Sequence, residues 1–165
     1  MSLNFFRTDC QFPPITSERF GLCDKNDGTK AYPDTVNEPE WIATVGNPEH
    51  HTVTFTAIDN CVMKNTEYRE RGRCDVMLTT TVHLYLVELK DQMAAWRPHA
   101  VSQLVSTIDF LLENHPHEIR QFKKKKAFAA NRRHPRFAFI ENEDNLKLFR
   151  RTGFRIDSQA EIILI

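Results

Sequence analysis

Glycine is scarce in this sequence: there are five, and they are scattered. No glycine-rich phosphate loop of the P-loop or Rossmann type is present, which argues against a nucleotide-binding fold. Long apolar runs are missing too. Nothing approaches the roughly 20 residues of a membrane span, and the N-terminus lacks the basic-then-apolar layout of a signal peptide. The expected setting is therefore cytoplasmic and reducing. The four cysteines, Cys10, Cys23, Cys61 and Cys74, include no C-x-x-C pair, so a zinc site is not expected. Without a secretory context they read as ordinary, mostly buried thiols rather than as disulfides. Net charge is absent as well: 22 Lys and Arg balance 22 Asp and Glu, so overall charge gives no sign of a nucleic-acid partner. A chain of 165 residues is expected to form one domain and to bury roughly two-thirds of its unfolded surface.

What is present is organised around Arg73 to Lys90. This stretch reads as two strands, Arg73 to Leu78 and Val82 to Lys90, joined by a threonine-rich turn. Along the second, Leu84, Leu86, Glu88 and Lys90 point one way while Val87 and Leu89 point the other. A strand apolar on both faces is expected to be central in its sheet. If the two strands pair as a hairpin, Asp75 falls opposite or diagonal to Glu88. An Asp, a Glu and a Lys then converge on one spot, where burial is costly unless they bind something.

Around that stretch, residues 1–51 are broken repeatedly by Pro, Asn, Asp and Gly but carry Phe5, Phe6, Phe12, Phe20, Tyr32 and Trp41. They read as an irregular N-terminal extension packed on the core formed by residues 52–165. Thr52 to Val62 alternates as a strand. Trp96, Ala100, Leu104, Ile108, Leu111 and Leu112 predict an amphipathic helix from about Met93 to Asn114, with Pro98 in its first turn or marking its start. Ala127 to Asn131 and Arg136 to Ile140 read as strands. Asn142 to Thr152 reads as a helix capped by Gly153, and Phe154 to Asp157 with Ala160 to Ile165 as a closing strand or hairpin. The order predicts an α/β domain with a mixed central β-sheet flanked by helices.

Divalent-metal chemistry at a phosphodiester needs oxygen ligands at fixed spacing and a cation to steady developing charge. Asp75 and Glu88 can supply carboxylates, the backbone carbonyl of Leu89 a third ligand, and Lys90 the cation. Mg²⁺ or Mn²⁺ is the expected cofactor. The bland alternative is an exposed Glu88–Lys90 pair on an edge strand, with Asp75 a strand-end residue. Asp59 would complete the metal shell as a ligand, or caps a strand end or turn; Glu67 and Glu70 read as solvated charges in a connection. Gln103, on the helix that follows, could reach the site or a nucleic-acid backbone, or could be an unexceptional helical residue.

Arg73-Cys-Asp75 followed by Glu88-Leu-Lys90 and then a helix resembles the PD-(D/E)xK nuclease superfamily, which includes restriction endonucleases and Holliday-junction resolvases. The match spans roughly Thr52 to Ile140. No Pro precedes Asp75, where the motif's first letter would place one. The resemblance implies a restriction-endonuclease-like core, Asp75, Glu88 and Lys90 as catalytic residues, a further acidic ligand from upstream for which Glu67 or Glu70 is available, and Mg²⁺-dependent cleavage of nucleic acid.

Between Arg120 and Arg136 stand Lys123, Lys124, Lys125, Lys126, Arg132 and Arg133, with no acidic residue after Arg120. Such a run either neutralises phosphates with counterion release or forms a solvated loop. Arg132 and Arg133 end a predicted strand beside the active-site strand and could aim at the same groove. The leading expectation is a metal-dependent endo- or exonuclease acting on nucleic acid, with DNA the expected substrate and a homodimer or larger complex completing the binding surface. The alternative is a catalytically silent nuclease-fold module for nucleic-acid binding or protein assembly. An enzyme acting on a small phosphorylated substrate is a weaker third.

Overall fold

A computed structural model describes residues 3–64, 72–138, 140 and 142–165. The chain forms an α/β fold with two mixed sheets and two helices. Residues 3–51, expected to be irregular, contain three strands: β1 (Arg19–Cys23), β2 (Tyr32–Asp34) and β3 (Ala43–Gly46). Their turn residues were correctly read as breaks, but the segments between those breaks are apolar enough to pair. Phe20, Leu22 and Val45 are fully buried. Gly21 is required where it stands, because a Cβ there would lie 2.0 Å from the Trp41 indole. That indole covers β1 and donates its N–H to Asp34 at 2.7 Å.

The large sheet holds β4 (Thr54–Ala57), β5 (Val76–Thr79), β6 (His83–Lys90), β7 (Lys124–Asn131) and β8 (Arg155–Ser158), in that spatial order. β5 runs antiparallel to both its neighbours, β4 and β6, and β7 and β8 continue parallel to β6. Parallel neighbours need crossovers, which α1 (Arg97–Asn114) and α2 (Asn142–Thr152) provide. β9 (Glu161–Ile163) leaves the large sheet and pairs parallel to β3, closing the small one. The C-terminal pair is therefore not a hairpin. Among the described residues of 136–140, the expected strand reduces to an isolated bridge, Ala138 to Ser158.

β6 is the central strand and is covered on both faces. Leu84 and Leu86 face α1, where Leu104, Ile108 and Leu111 are fully buried, each contributing about 1.5–3 kcal/mol. Tyr85, Val87 and Leu89 face the small sheet and pack with Phe20, Val45 and Ile162. Pro98 lies in the first turn of α1, where its missing N–H costs nothing. Gly153, at φ +83°, follows α2. Acidic residues at the start of α2 and Arg150 and Arg151 at its end complement the helix dipole.

The cysteines divide differently from the expectation. Cys23 and Cys74 are buried thiols, but Cys10 and Cys61 are joined in a disulfide. The two are separated by 51 residues, so local spacing gave no sign of the pairing. A disulfide runs against the reducing setting expected from the sequence. Among the described residues, no helix is long and apolar enough to cross a membrane.

Candidate active site

The carboxyl end of β6 carries the site. The β5–β6 register pairs Val76 with Val87, so one step outward Asp75 stands opposite Glu88. The ladder continues through that step, with the Asp75 N–H donating to the Val87 carbonyl at 3.2 Å and the Asp75 carbonyl accepting from the Ile58 N–H at 2.9 Å. α1 fixes the approach to β5. Thr107 accepts the Cys74 N–H at 2.8 Å, and the Gln103 amide donates to the Arg73 carbonyl at 3.3 Å. Gln103 therefore positions the strand that delivers Asp75.

The side chains converge. Asp75 Oδ2 accepts the Leu89 N–H at 2.8 Å, and its carboxyl is also hydrogen-bonded to that of Glu88. Lys90 Nζ lies 3.1 Å from Glu88 Oε2. Among the described residues, no N–H or hydroxyl donor reaches the buried Glu88 Oε1. Asp75 is 7% and Glu88 2% exposed, so this is not an exposed pair on an edge strand. Burial pushes the Asp75 carboxyl up to about 6, while hydrogen bonds from Glu88 and the Leu89 N–H hold it lower than burial alone would. Burial, and then the neighbouring Asp75 charge, raise Glu88 well above the ordinary range, against the pull of Lys90. Two carboxyls in hydrogen-bond contact with these environments titrate as a coupled pair.

The Leu89 carbonyl also faces this spot. Carbonyls of alternate strand residues point to the same edge. The Val87 carbonyl bonds Asp75, and the Lys90 carbonyl points the other way, to the Arg132 N–H at 3.0 Å. The Leu89 carbonyl thus lies on the Asp75 edge, past the end of β5.

Asp59 stands beside the pair, close enough for its charge to raise Asp75, but its carboxylate is held by Arg73 at 2.6 Å. It is neutralised there rather than offered as a ligand. Glu67 and Glu70 lie outside the described residues. A residue that sequence reasoning missed is Asp24, just beyond the end of β1. Its half-buried carboxyl accepts the Asn26 N–H at 2.9 Å. Its own pKa is raised, first by burial and then by Asp59 and Asp27, with the Asn26 N–H and Lys90 opposing, and its charge in turn raises Asp75. The only sequence signal was an Asp directly after an apolar pair, Leu22-Cys23, inside a stretch read as irregular.

The basic residues separate into two groups. Arg132 and Arg133 do end β7 beside Lys90, but Arg132 donates to the Glu40 carbonyl at 3.0 Å and Arg133 pairs with Asp91 at 2.9 Å. Lys123 to Lys126 lie at the other end of the same strand, because Lys124 pairs with His83 and Asn131 with Lys90. At about 3.3 Å per residue, some 23 Å separates Lys124 from Asn131. The lysine run is therefore not part of the acidic site.

Among the described residues, no group of three or more His, Cys, Asp or Glu side chains is placed to hold one metal ion together. What the site offers is two carboxylates, one of them with a buried oxygen lacking a donor, and a backbone carbonyl. That set fits Mg²⁺, which keeps several waters and is commonly held by one or two protein carboxylates. Comparison with family models, with curated proteins and with solved structures found no match for this chain.

Proposed function

We propose that the protein is a Mg²⁺-dependent phosphodiesterase acting on nucleic acid, with DNA as substrate. The observation that carries this reading is the buried Asp75–Glu88 pair, with an oxygen lacking a donor and an ammonium group 3.1 Å away. Such a pair is a poor device for stability, since apolar residues of similar volume would hold the strands at least as well. Strongly shifted carboxyls beside a fixed cation suit a reaction centre. The antiparallel β4–β5–β6 meander followed by α1 and the parallel β7 also agrees with the restriction-endonuclease-like core that the PD-(D/E)xK resemblance implies.

Asp75 and Glu88 would hold the ion, and the Leu89 carbonyl would complete the protein's share of the shell. A bound Mg²⁺ supplies charge neutralisation at the phosphate and a water acidic enough to attack it. Lys90, held 3.1 Å from Glu88, would stabilise the negative charge that develops on the phosphoryl oxygens. Gln103 and Thr107 keep the Asp75 strand in register with Glu88.

Plasmid nicking tests this directly. Wild type should nick with Mg²⁺ and stop with EDTA, and Glu88→Gln and Lys90→Ala should each fall by at least about 100-fold. Equal nicking by all three proteins would sink the proposal. The capture of Asp59 by Arg73 favours one second reading, a catalytically silent nucleic-acid-binding module. That reading expects oligonucleotide binding without cleavage in either Mg²⁺ or Mn²⁺.

A further inference from the structure

At the amino-terminal end of β7 lies a groove of about 360 Å³ floored by Tyr85 and bordered by Lys123 to Lys126 and Arg155. It is lined by five cationic side chains and no acidic one. None of the five forms an ion pair among the described residues. The lysines fan to both sides of the strand start. Lys125 shares a face with Ala127, which packs toward the helices, while Lys124 and Lys126 share the face of Phe128, toward the small sheet. Gly153 makes room for this arrangement, because a Cβ there would lie 3.1 Å from Lys125 Cε. Phe149 stands at the rim, 42% exposed, with the Arg155 guanidinium 4.6 Å from its ring centroid.

We propose that this groove is a binding site for single-stranded nucleic acid. The lysines would take the sugar–phosphate backbone, and Phe149 with the Arg155 plane would stack a base. A phosphate-only site would have no use for an exposed aromatic ring at its edge, whereas a stacking platform beside a positive channel is what an unpaired strand requires. In a duplex the base faces are occupied, so Phe149 would contribute nothing. The proposal rests on the nuclease reading only in taking nucleic acid, rather than another polyanion, as the occupant. If both sites engage one molecule, the roughly 23 Å along β7 places the held segment several nucleotides from the cut. The preferred substrate would then carry a single-stranded stretch.

The test is fluorescence anisotropy with a labelled thymidine 20-mer and a blunt duplex of equal length, using Glu88→Gln protein in EDTA so that nothing is cleaved. The single strand should bind about tenfold or more tighter than the duplex. Its affinity should fall with salt at a log–log slope near −3, from about 0.7 per phosphate contact. Phe149→Ala should weaken single-strand binding about 5- to 100-fold and leave duplex binding unchanged. Lys123→Glu with Lys124→Glu, both exposed and thus compatible with folding, should weaken it further and flatten the salt slope by about 1.4. Unchanged binding in both variants would overturn the proposal, as would equal affinity for the duplex or full competition by polyglutamate. Failure of the nuclease reading would show instead as nicking by Glu88→Gln, with oligonucleotide binding unaffected.

Discussion

The Asp75 carboxylate caps the backbone of the residue between Glu88 and Lys90, with Oδ2 accepting the Leu89 N–H at 2.8 Å. One side chain thus belongs both to the fold and to the site, and the two roles separate by substitution. Asp75→Asn keeps a carbonyl oxygen for Leu89 and removes the buried charge. At pH 4, where the wild-type carboxyl is protonated, it should unfold in urea within about 1 kcal/mol of wild type, while nicking falls at least about 100-fold. Asp75→Ala leaves a buried N–H unpaired and should cost roughly 1–3 kcal/mol as well. Equal destabilisation by the two variants would show that the bond to Leu89 does not matter.

Stability without metal should depend on pH through this carboxyl. Its folded pKa, about 6, lies above the ordinary 3.8. Its contribution is therefore fully present below about pH 4 and is lost as pH rises through 6, a change of roughly 3 kcal/mol from the two-unit shift. Glu88 acts in the same direction at higher pH. Urea unfolding in EDTA at several pH values between 4 and 8 should show wild type losing ground to Asp75→Asn as pH rises, and Mg²⁺ should restore it at pH 8. A constant difference between the two proteins across that range would contradict the coupling.

Asp24 should tune the site without holding the fold. Its side chain accepts one local hydrogen bond, from Asn26, and its charge is felt by Asp75. Asp24→Asn should leave thermal unfolding nearly unchanged and raise the Mg²⁺ midpoint for nicking about tenfold, a usual effect for a group outside the ligands themselves. An unaltered midpoint would confine Asp24 to its turn.

The Cys10–Cys61 disulfide ties the N-terminal segment to the loop that carries Asp59. Its cysteines are 51 residues apart, and closing a loop of that size limits the unfolded chain by roughly 4 kcal/mol. Cys10→Ser should lower the free energy of urea unfolding by a comparable amount, and dithiothreitol should do the same to wild type but not to the variant. Equal midpoints for oxidised and reduced wild type would remove the bond from the stability of the fold.

Local patterns carried a large share of this structure. Alternation in Leu84 to Lys90 gave the central strand and its two faces, and the three- and four-residue spacing from Ala100 to Leu111 gave α1. Gly153 marked the end of α2. Pairing between adjacent strands was legible too, because a short turn leaves few registers, and so Asp75 could be set against Glu88 before any coordinates.

Only tertiary structure decided what depended on distant pairing. Residues 19–46 looked irregular because their strands are short and interrupted, and β9, some 115 residues further on, completes their sheet. Asp24 reaches the site through that sheet's packing, and Cys10 meets Cys61 in the same way. The lysine run looked like a neighbour of the acidic triplet because it follows it in sequence. Yet β7 begins at Lys124 rather than Ala127 and runs parallel to β6, so its first residues lie at the far end of the sheet. Alternation and helical spacing are set by each segment's own side chains, whereas strand direction and sheet membership are set by what the whole chain can bury together.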